Sequence, residues 1–218
     1  HRITRASDLS LIVDADHGYG NALNVMRTIE ELEAAEVSAL TIEDTMLPVS
    51  FAQSGTTQFL SIREMLGKIY AAKKARRDSS LVIIGRTGSI PSEGLTAGVT
   101  RVKAYTEAGV DAIFLTGINS MQELEVLHSS TELPLILGNP PSAMTDPKTL
   151  GKLGVRVVIK GHLTFQVALQ AIYDTLIEQK QKTTLEPLPK MKERNDLIAK
   201  VLRDEEYQQF LKLFMGFN

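Results

Sequence analysis

The sequence predicts a parallel α/β protein built from repeated β/α units, and three observations support this prediction. Short, nearly continuous apolar runs recur along the chain, segments with helical spacing lie between them, and small residues precede several runs. Continuously apolar runs are typical of parallel strands that are covered on both faces. Parallel neighbours need crossovers of a dozen residues or more, which the helical segments supply.

Six apolar runs are the predicted strands. In chain order they cover residues 11–13, 39–42, 81–84, 112–115, 133–137 and 155–159. Gly109 and Gly154 precede two of these runs, where glycine fits the left-handed end of a helix. Glu36 holds the same place before the second run and is expected to cost about 1 kcal/mol if its backbone is left-handed.

The number of units leaves two architectures open. Eight β/α units close the commonest barrel, so two units would have to precede residue 1 if this chain forms one. An open, doubly wound sheet is the alternative, and it requires a reversal of strand order.

The C-terminal part of the sequence departs from the repeat. A helix is predicted over residues 165–177, then a polar linker over 180–192 with Pro187 and Pro189, then a final amphipathic helix. We therefore expect a β/α domain over residues 1–180 and a linker with a helical tail over 181–218. The apolar face of the tail predicts packing on the parent domain or on a second subunit.

Composition excludes several classes of function. The 218 residues carry 24 Lys plus Arg against 26 Asp plus Glu, and this balance gives no support for nucleic-acid binding. The chain has no cysteine, which rules out disulfides, thiolate zinc sites and cysteine nucleophiles. No apolar run approaches the roughly 20 residues that span a bilayer. We expect a cytoplasmic protein without a membrane partner, and an organellar location stays open.

Acidic residues follow the first two predicted strands. Asp14 and Asp16 are spaced to point to one side of an extended strand, and the pair Glu43 and Asp44 follows the next strand. Carboxylates this close repel each other, and a hard cation bound by oxygen relieves the repulsion. The pattern favours a Mg²⁺ site, with Mn²⁺ possible, held by Asp14, Asp16 and Glu43. Turn formation and helix capping are the alternative roles.

Later strand ends carry candidate substrate groups. Arg86 follows the third strand and can hold a substrate carboxylate with two parallel hydrogen bonds, although a structural ion pair is the alternative. Asn139 follows the fifth strand, and His162 follows the sixth, where an imidazole can transfer a proton.

The blocks around these residues resemble the signature blocks of the phosphoenolpyruvate mutase/isocitrate lyase superfamily. They are Asp-Ala-Asp-His-Gly-Tyr-Gly at 14–20, Thr-Ile-Glu-Asp-Thr at 41–45 and Ile-Ile-Gly-Arg-Thr at 83–87. The resemblance covers residues 12–176 and is greatest to the branch that decarboxylates oxaloacetate. It implies a (β/α)8 TIM-type barrel whose eighth helix is swapped between paired subunits, with its first two strands absent from this sequence. It also implies Mg²⁺, an α-keto-acid substrate and a homo-oligomer made of two such dimers.

The resemblance also implies a role for each candidate residue. Asp14, Asp16 and Glu43 match the acids around the metal, and Arg86 and His162 match the catalytic groups. The substrate-binding set is Tyr19, Gly20, Arg86, Asn139 and His162.

Two departures from the superfamily pattern bear on the reaction. Residues 46–57, a predicted mobile lid, contain neither the cysteine nor the lysine of the lyase gate loop, so isocitrate-type cleavage is not expected. Leu137 stands where the decarboxylase pattern has tyrosine. The expected reaction is Mg²⁺-dependent decarboxylation of oxaloacetate to pyruvate and CO₂. The alternatives are a sister lyase or mutase reaction, on a keto or hydroxy diacid or phosphonopyruvate, and a non-catalytic metabolite-binding homologue.

Overall fold

The computed structural model of the chain describes residues 1–49, 57–181 and 191–216. Its strands are β1 (Ile12–Asp14), β2 (Ala39–Glu43), β3 (Val82–Thr87), β4 (Ala112–Thr116), β5 (Leu135–Gly138) and β6 (Val155–Ile159). Its α-helices are α1 (Ala22–Ala34), α2 (Ile62–Ala75), α3 (Ile90–Glu93), α4 (Leu95–Ala108), α5 (Met121–His128), α6 (Pro147–Lys152), α7 (Leu163–Gln181), α8 (Met191–Leu202) and α9 (Asp204–Met215).

The six described strands form one parallel sheet in the order β1-β2-β3-β4-β5-β6. Every strand therefore lies beside its neighbour in sequence, as in the wall of a barrel. The doubly wound alternative requires a reversal of strand order, which these strands do not show. The predicted α/β class and the parallel strands are confirmed, and the sheet has the form of a half-barrel.

The sheet has a different core on each face because side chains alternate along a strand. Leu40, Ile83 and Leu115 belong to a large cluster between the sheet and the helices. Ala39, Ile84 and Phe114 belong to a small cluster on the other face, which corresponds to the inside of a barrel. The inner face carries the candidate site at the carboxyl ends of its strands.

The turns into the strands have the predicted left-handed backbone. Gly109 and Gly154 have φ of 83° and 74°, and Glu36 has φ of 60°. Glycine adopts this conformation without steric penalty, whereas Glu36 pays about 1 kcal/mol for its Cβ. Glu36 lies at the end of the sheet opposite the candidate site.

The chain divides into two compact units, His1–His162 and Leu163–Asn218. The second unit contains α7 and the tail. The sequence instead predicts α7 as part of the first domain. The tail has two helices where the sequence predicts one, because Arg203 adopts φ of 60° between α8 and α9. Residues 182–190 of the predicted linker lie outside the described part of the chain. Among the described residues, no helix combines the length and the apolar character needed to cross a bilayer.

Candidate active site

The carboxyl ends of β1, β2 and β3 bring three predicted site residues into contact. The parallel register pairs Asp14 with Thr41 and Glu43 with Arg86, and these side chains share the inner face. Arg86 Nη1 lies 2.5 Å from Asp14 Oδ2. Arg86 Nε lies 3.0 Å from Glu43 Oε2, an ion pair without hydrogen-bond alignment. The guanidinium therefore lies between the two carboxylates.

Burial and neighbouring charges both act on Glu43. Its pKa is raised above the ordinary value, chiefly because burial disfavours the charged carboxylate, and Arg86 opposes that shift. Asp14 and Asp16 add to the rise by charge repulsion. The three acids are thus close enough for their charges to interact.

Arg86 is held from a second side by an aromatic ring. Its guanidinium carbon lies 5.1 Å from the centroid of Phe114, within the range of a cation–π contact. Phe114 belongs to the inner-face cluster, so β4 supports the arginine that β3 carries.

The segment 14–20 turns sharply after β1. The strand ends at Asp14, and Asp16 has φ of 46°. The prediction that both aspartates lie on one extended strand is therefore wrong, because the chain leaves the extended conformation before Asp16. Instead, the Asp16 amide donates to Asp14 Oδ1 at 3.1 Å. Tyr19 also has a left-handed backbone, and its side chain is exposed. Partial loss of hydration at its hydroxyl and the charges of Asp16 and Asp14 raise the pKa of Tyr19. Asp16, Tyr19 and Gly20 thus all lie in this one turn.

The remaining predicted residues form a second group at the ends of β5 and β6. The Gly161 amide donates to Asn139 Oδ1 at 2.8 Å, which places Asn139 beside His162. Asn139 and His162 both have positive φ, with values of 48° and 64°. In the described part of the chain, no hydrogen bond or ion pair joins this group to Arg86.

Leu137 points away from both groups. It is 1% exposed and packs in the cluster between the sheet and the helices, whereas its neighbour Ile136 belongs to the inner face. The difference from the superfamily pattern at this position therefore falls in the helix-facing core.

Sequence reasoning missed a buried cluster behind the site. Asp44 is fully buried and accepts hydrogen bonds from the Tyr105 hydroxyl at 2.6 Å and from Arg101 Nη1 at 3.2 Å. Arg101 also donates to the carbonyl of Leu60 at 2.9 Å and forms two hydrogen bonds with Glu93. The available signal was an arginine and a tyrosine four residues apart on the apolar face of α4. This cluster fixes the end of β2 from the helix side.

The chemistry of the donors fits a hard divalent cation, which prefers carboxylate oxygens. The charges of Asp14 and Asp16 both act on Glu43. Within the described ranges, no three Asp, Glu or His side chains form a ready cage for a metal ion. Arg86 lies within ion-pair distance of both Asp14 and Glu43.

The fold and this site agree with a comparison against protein families. Residues 1–180 match the family model for phosphoenolpyruvate phosphomutase. The chain belongs to this family. The predicted superfamily is thereby confirmed, and the phosphomutase family model covers the entire half-barrel.

Proteins similar to this member of the phosphomutase family include oxaloacetate decarboxylases. The one from Bradyrhizobium sp. (strain ORS 278) is 40% identical over 215 residues, which are 99% of this chain and 74% of that protein. The one from Rhodopseudomonas palustris (strain TIE-1) is 49% identical over 175 residues, which are 80% of this chain and 60% of that protein. The chain therefore spans only part of the length of these relatives.

A solved structure is similar over most of the chain. The structure of phosphonopyruvate hydrolase in complex with oxalate and Mg²⁺ has a TM-score of 0.76 and 28% identity. The match covers 96% of this chain and 74% of the hydrolase.

Proposed function

We propose that this protein catalyses the Mg²⁺-dependent decarboxylation of oxaloacetate to pyruvate and CO₂. The observation that carries the proposal is the convergence of Asp14, Glu43 and Arg86 at the carboxyl ends of adjacent strands. The identity of 40% and more to oxaloacetate decarboxylases supports the choice of substrate. The oxalate and Mg²⁺ bound by the similar hydrolase support the cofactor and the class of ligand.

Asp14, Asp16 and Glu43 are the residues proposed to hold Mg²⁺, with Mn²⁺ as a substitute. A bound ion would supply Lewis-acid stabilisation of the negative charge that develops on an α-keto acid. Glu43 binds a cation only as a carboxylate, and its raised pKa makes that state easier to lose as pH falls.

Arg86 supplies the anion-binding group in this proposal. Its guanidinium already faces the inner side of the sheet, and a planar fork of donors suits a substrate carboxylate. Tyr19, Gly20 and Asn139 border the mouth where the rest of the substrate lies. Loss of CO₂ breaks the bond to the distal carboxylate and leaves its electron pair on the enolate of pyruvate. The positive charge of Arg86 stabilises that enolate.

His162 supplies or relays the proton that completes the reaction. Protonation of the enolate carbon yields pyruvate, and an imidazole at the end of β6 is suited to deliver that proton. His162 is exposed, so it can exchange protons with solvent. Part of the predicted lid, residues 50–56, lies outside the described residues.

The proposal extends to the assembly. We propose that the six-stranded half-barrel within residues 1–180 belongs to a barrel of the eight-stranded type, and that residues 181–218 form a linker and helical tail. Helix α7 carries exposed apolar side chains along its length and contains no buried residue, as expected of a helix exchanged between subunits of a homo-oligomer.

Pyruvate formation from oxaloacetate tests the proposed reaction. We expect enzyme-dependent pyruvate and CO₂ that are lost with a chelator and restored by Mg²⁺. Because oxaloacetate also loses CO₂ slowly with divalent ions in solution, Glu43→Gln protein at equal Mg²⁺ is the matched control. A wild-type rate no higher than that control contradicts the proposal.

Phosphonopyruvate hydrolysis is the second candidate, favoured by the match to the solved hydrolase. It requires the same cation and anion groups but releases phosphate. Phosphate from phosphonopyruvate, without CO₂ from oxaloacetate, would select this reaction. Binding of oxalate with Mg²⁺ but turnover of neither substrate would indicate a non-catalytic metabolite-binding protein.

A further inference from the structure

Lys68 on α2 is a buried lysine outside the site described above. It is 3% exposed and lies among the buried side chains Met65, Ile69 and Ala72 of the same helix. Its Nζ donates to the carbonyl oxygen of His17 at 2.8 Å. Among the described residues, no carboxylate lies within ion-pair distance of Lys68.

The cost of this burial indicates that Lys68 does not serve stability. An ammonium group in an apolar environment is unfavourable unless a carboxylate neutralises it, and a carbonyl oxygen compensates only in part. The pKa of Lys68 is accordingly lowered, chiefly by burial, with Glu64 opposing the shift. Methionine fills a similar volume without this penalty, so the amino group must provide something other than packing.

The chain segment that Lys68 contacts is strained. In the turn of residues 16–20, Asp16, Gly18, Tyr19 and Gly20 all have positive φ. Side chains at Asp16 and Tyr19 make this conformation costly, so it persists only where surrounding contacts enforce it.

Three donors from later elements of the chain hold the carbonyl groups of this turn. The Asp16 carbonyl accepts from the Glu43 amide at 2.7 Å, and the Gly18 carbonyl accepts from Thr28 Oγ1 at 3.3 Å. Lys68 holds the His17 carbonyl between these two. It is the charged donor of the three, and it reaches the turn from a helix 51 residues away in sequence.

We propose that Lys68 is a positioning residue, which holds the His17 carbonyl so that Asp16 and Tyr19 on either side keep the orientation that the active site requires. The inference rests on the proposed function in one respect, because Asp16 is a ligand only in that proposal. Lys68 acts through the backbone of the turn and does not touch the substrate.

Lys68→Met tests the inference, with Lys73→Met as the matched control. Lys73 lies on the same helix and also donates to a backbone carbonyl, that of Ala108 at 3.0 Å, but away from the turn. The readouts are the Mn²⁺ dissociation constant, from the electron paramagnetic resonance of free Mn²⁺, the amide hydrogen exchange of residues 15–20, and the melting temperature.

For Lys68→Met we expect Mn²⁺ affinity to fall about ten- to a hundred-fold, as when outer contacts of metal ligands are removed. Exchange in residues 15–20 should accelerate while the melting temperature stays equal to or above that of the wild type. Lys73→Met should leave Mn²⁺ affinity and exchange in the turn at wild-type values.

Wild-type Mn²⁺ affinity and exchange in Lys68→Met overturn the inference. A lower melting temperature with equal losses in both variants also overturns it, because it indicates a general role of α2. None of the three readouts uses oxaloacetate, so failure of the proposed reaction is visible separately as normal Mn²⁺ binding without pyruvate formation. Hydrogen exchange decides the role of Lys68 even if the wild-type protein binds no Mn²⁺.

Discussion

At the scale of single residues, Arg86 takes part in both the proposed metal binding and the proposed substrate binding. Its guanidinium contacts Asp14 and Glu43, which are proposed metal ligands, and it is also the proposed partner of the substrate carboxylate. One group cannot make all of these contacts with full strength at the same time. Binding of a cation and binding of an anionic substrate therefore act on the same set of charges.

Arg86→Lys tests the need for a planar fork of donors. Lysine keeps the charge but makes a single-point contact, which loses about 1.5–3 kcal/mol of charge-assisted hydrogen bonding. We expect kcat/KM for oxaloacetate to fall roughly ten- to a hundred-fold. Arg27→Lys, on the exposed face of α1, is the control and should retain wild-type kcat/KM. Full activity of Arg86→Lys would remove the carboxylate-binding role.

Lys68 gives a prediction for the pH dependence of stability. Its folded-state pKa lies below the ordinary value of 10.5, to which the unfolded chain returns. Between these two values the unfolded chain binds more protons, so the free energy of unfolding rises with pH. Lys68→Met lacks this rise, and its stability advantage at neutral pH should shrink toward about pH 10. Urea unfolding of both proteins across this range measures the difference, and a constant difference contradicts the prediction.

At the scale of elements, the cluster of Asp44, Arg101 and Tyr105 joins parts of the chain that border the site. Arg101 on α4 contacts Asp44 at the end of β2, Glu93 on α3 and the carbonyl of Leu60 before α2. The residues on both sides of the segment 45–59 are therefore held by one side chain. Burial and the charge of Asp44 hold the pKa of Tyr105 far above its usual range, so its hydroxyl stays a donor.

Tyr105→Phe removes one hydrogen bond from this cluster without removing the ring. Because the acceptor is a fully buried carboxylate, we expect the free energy of unfolding to fall by about 1.5–3 kcal/mol. Tyr70→Phe, an exposed position on α2, is the matched control and should change it by less than about 0.5 kcal/mol. Equal values for the two variants in urea unfolding would show that Asp44 does not depend on Tyr105.

At the scale of the whole molecule, the two compact units differ in how they bury apolar surface. The unit His1–His162 has a continuous core between sheet and helices. In the unit Leu163–Asn218, α7 exposes Phe165, Ile172 and other apolar side chains. Exposed apolar side chains along one helix are typical of a protein–protein contact, which supports the proposed homo-oligomer.

Phe165→Asp tests the oligomer at the most exposed aromatic side chain of α7, 69% exposed. A carboxylate buried in a subunit interface is costly, so we expect this variant to sediment as a smaller species than the wild type. Val126→Asp on α5, an exposed position in the other unit, should leave the sedimentation coefficient unchanged. An unchanged mass for Phe165→Asp would exclude α7 as the interface.

The sequence by itself determined the parallel β/α repeat and which strand ends carry carboxylates, because apolar periodicity and strand-end position are local properties. It predicted Asp14, Asp16 and Glu43 at neighbouring strand ends, and in the structure Arg86 contacts Asp14 and Glu43. It did not predict the break between α8 and α9 in the tail, where Arg203 has φ of 60°.

Only the tertiary structure decided which partners these residues have. Arg86 lies between Asp14 and Glu43 because strand register places it there, and Asp44 meets Arg101 across 57 residues of sequence. Lys68 reaches His17 because α2 packs beside the turn. Such contacts arise from the packing of distant segments, and no local pattern of residue types records that packing.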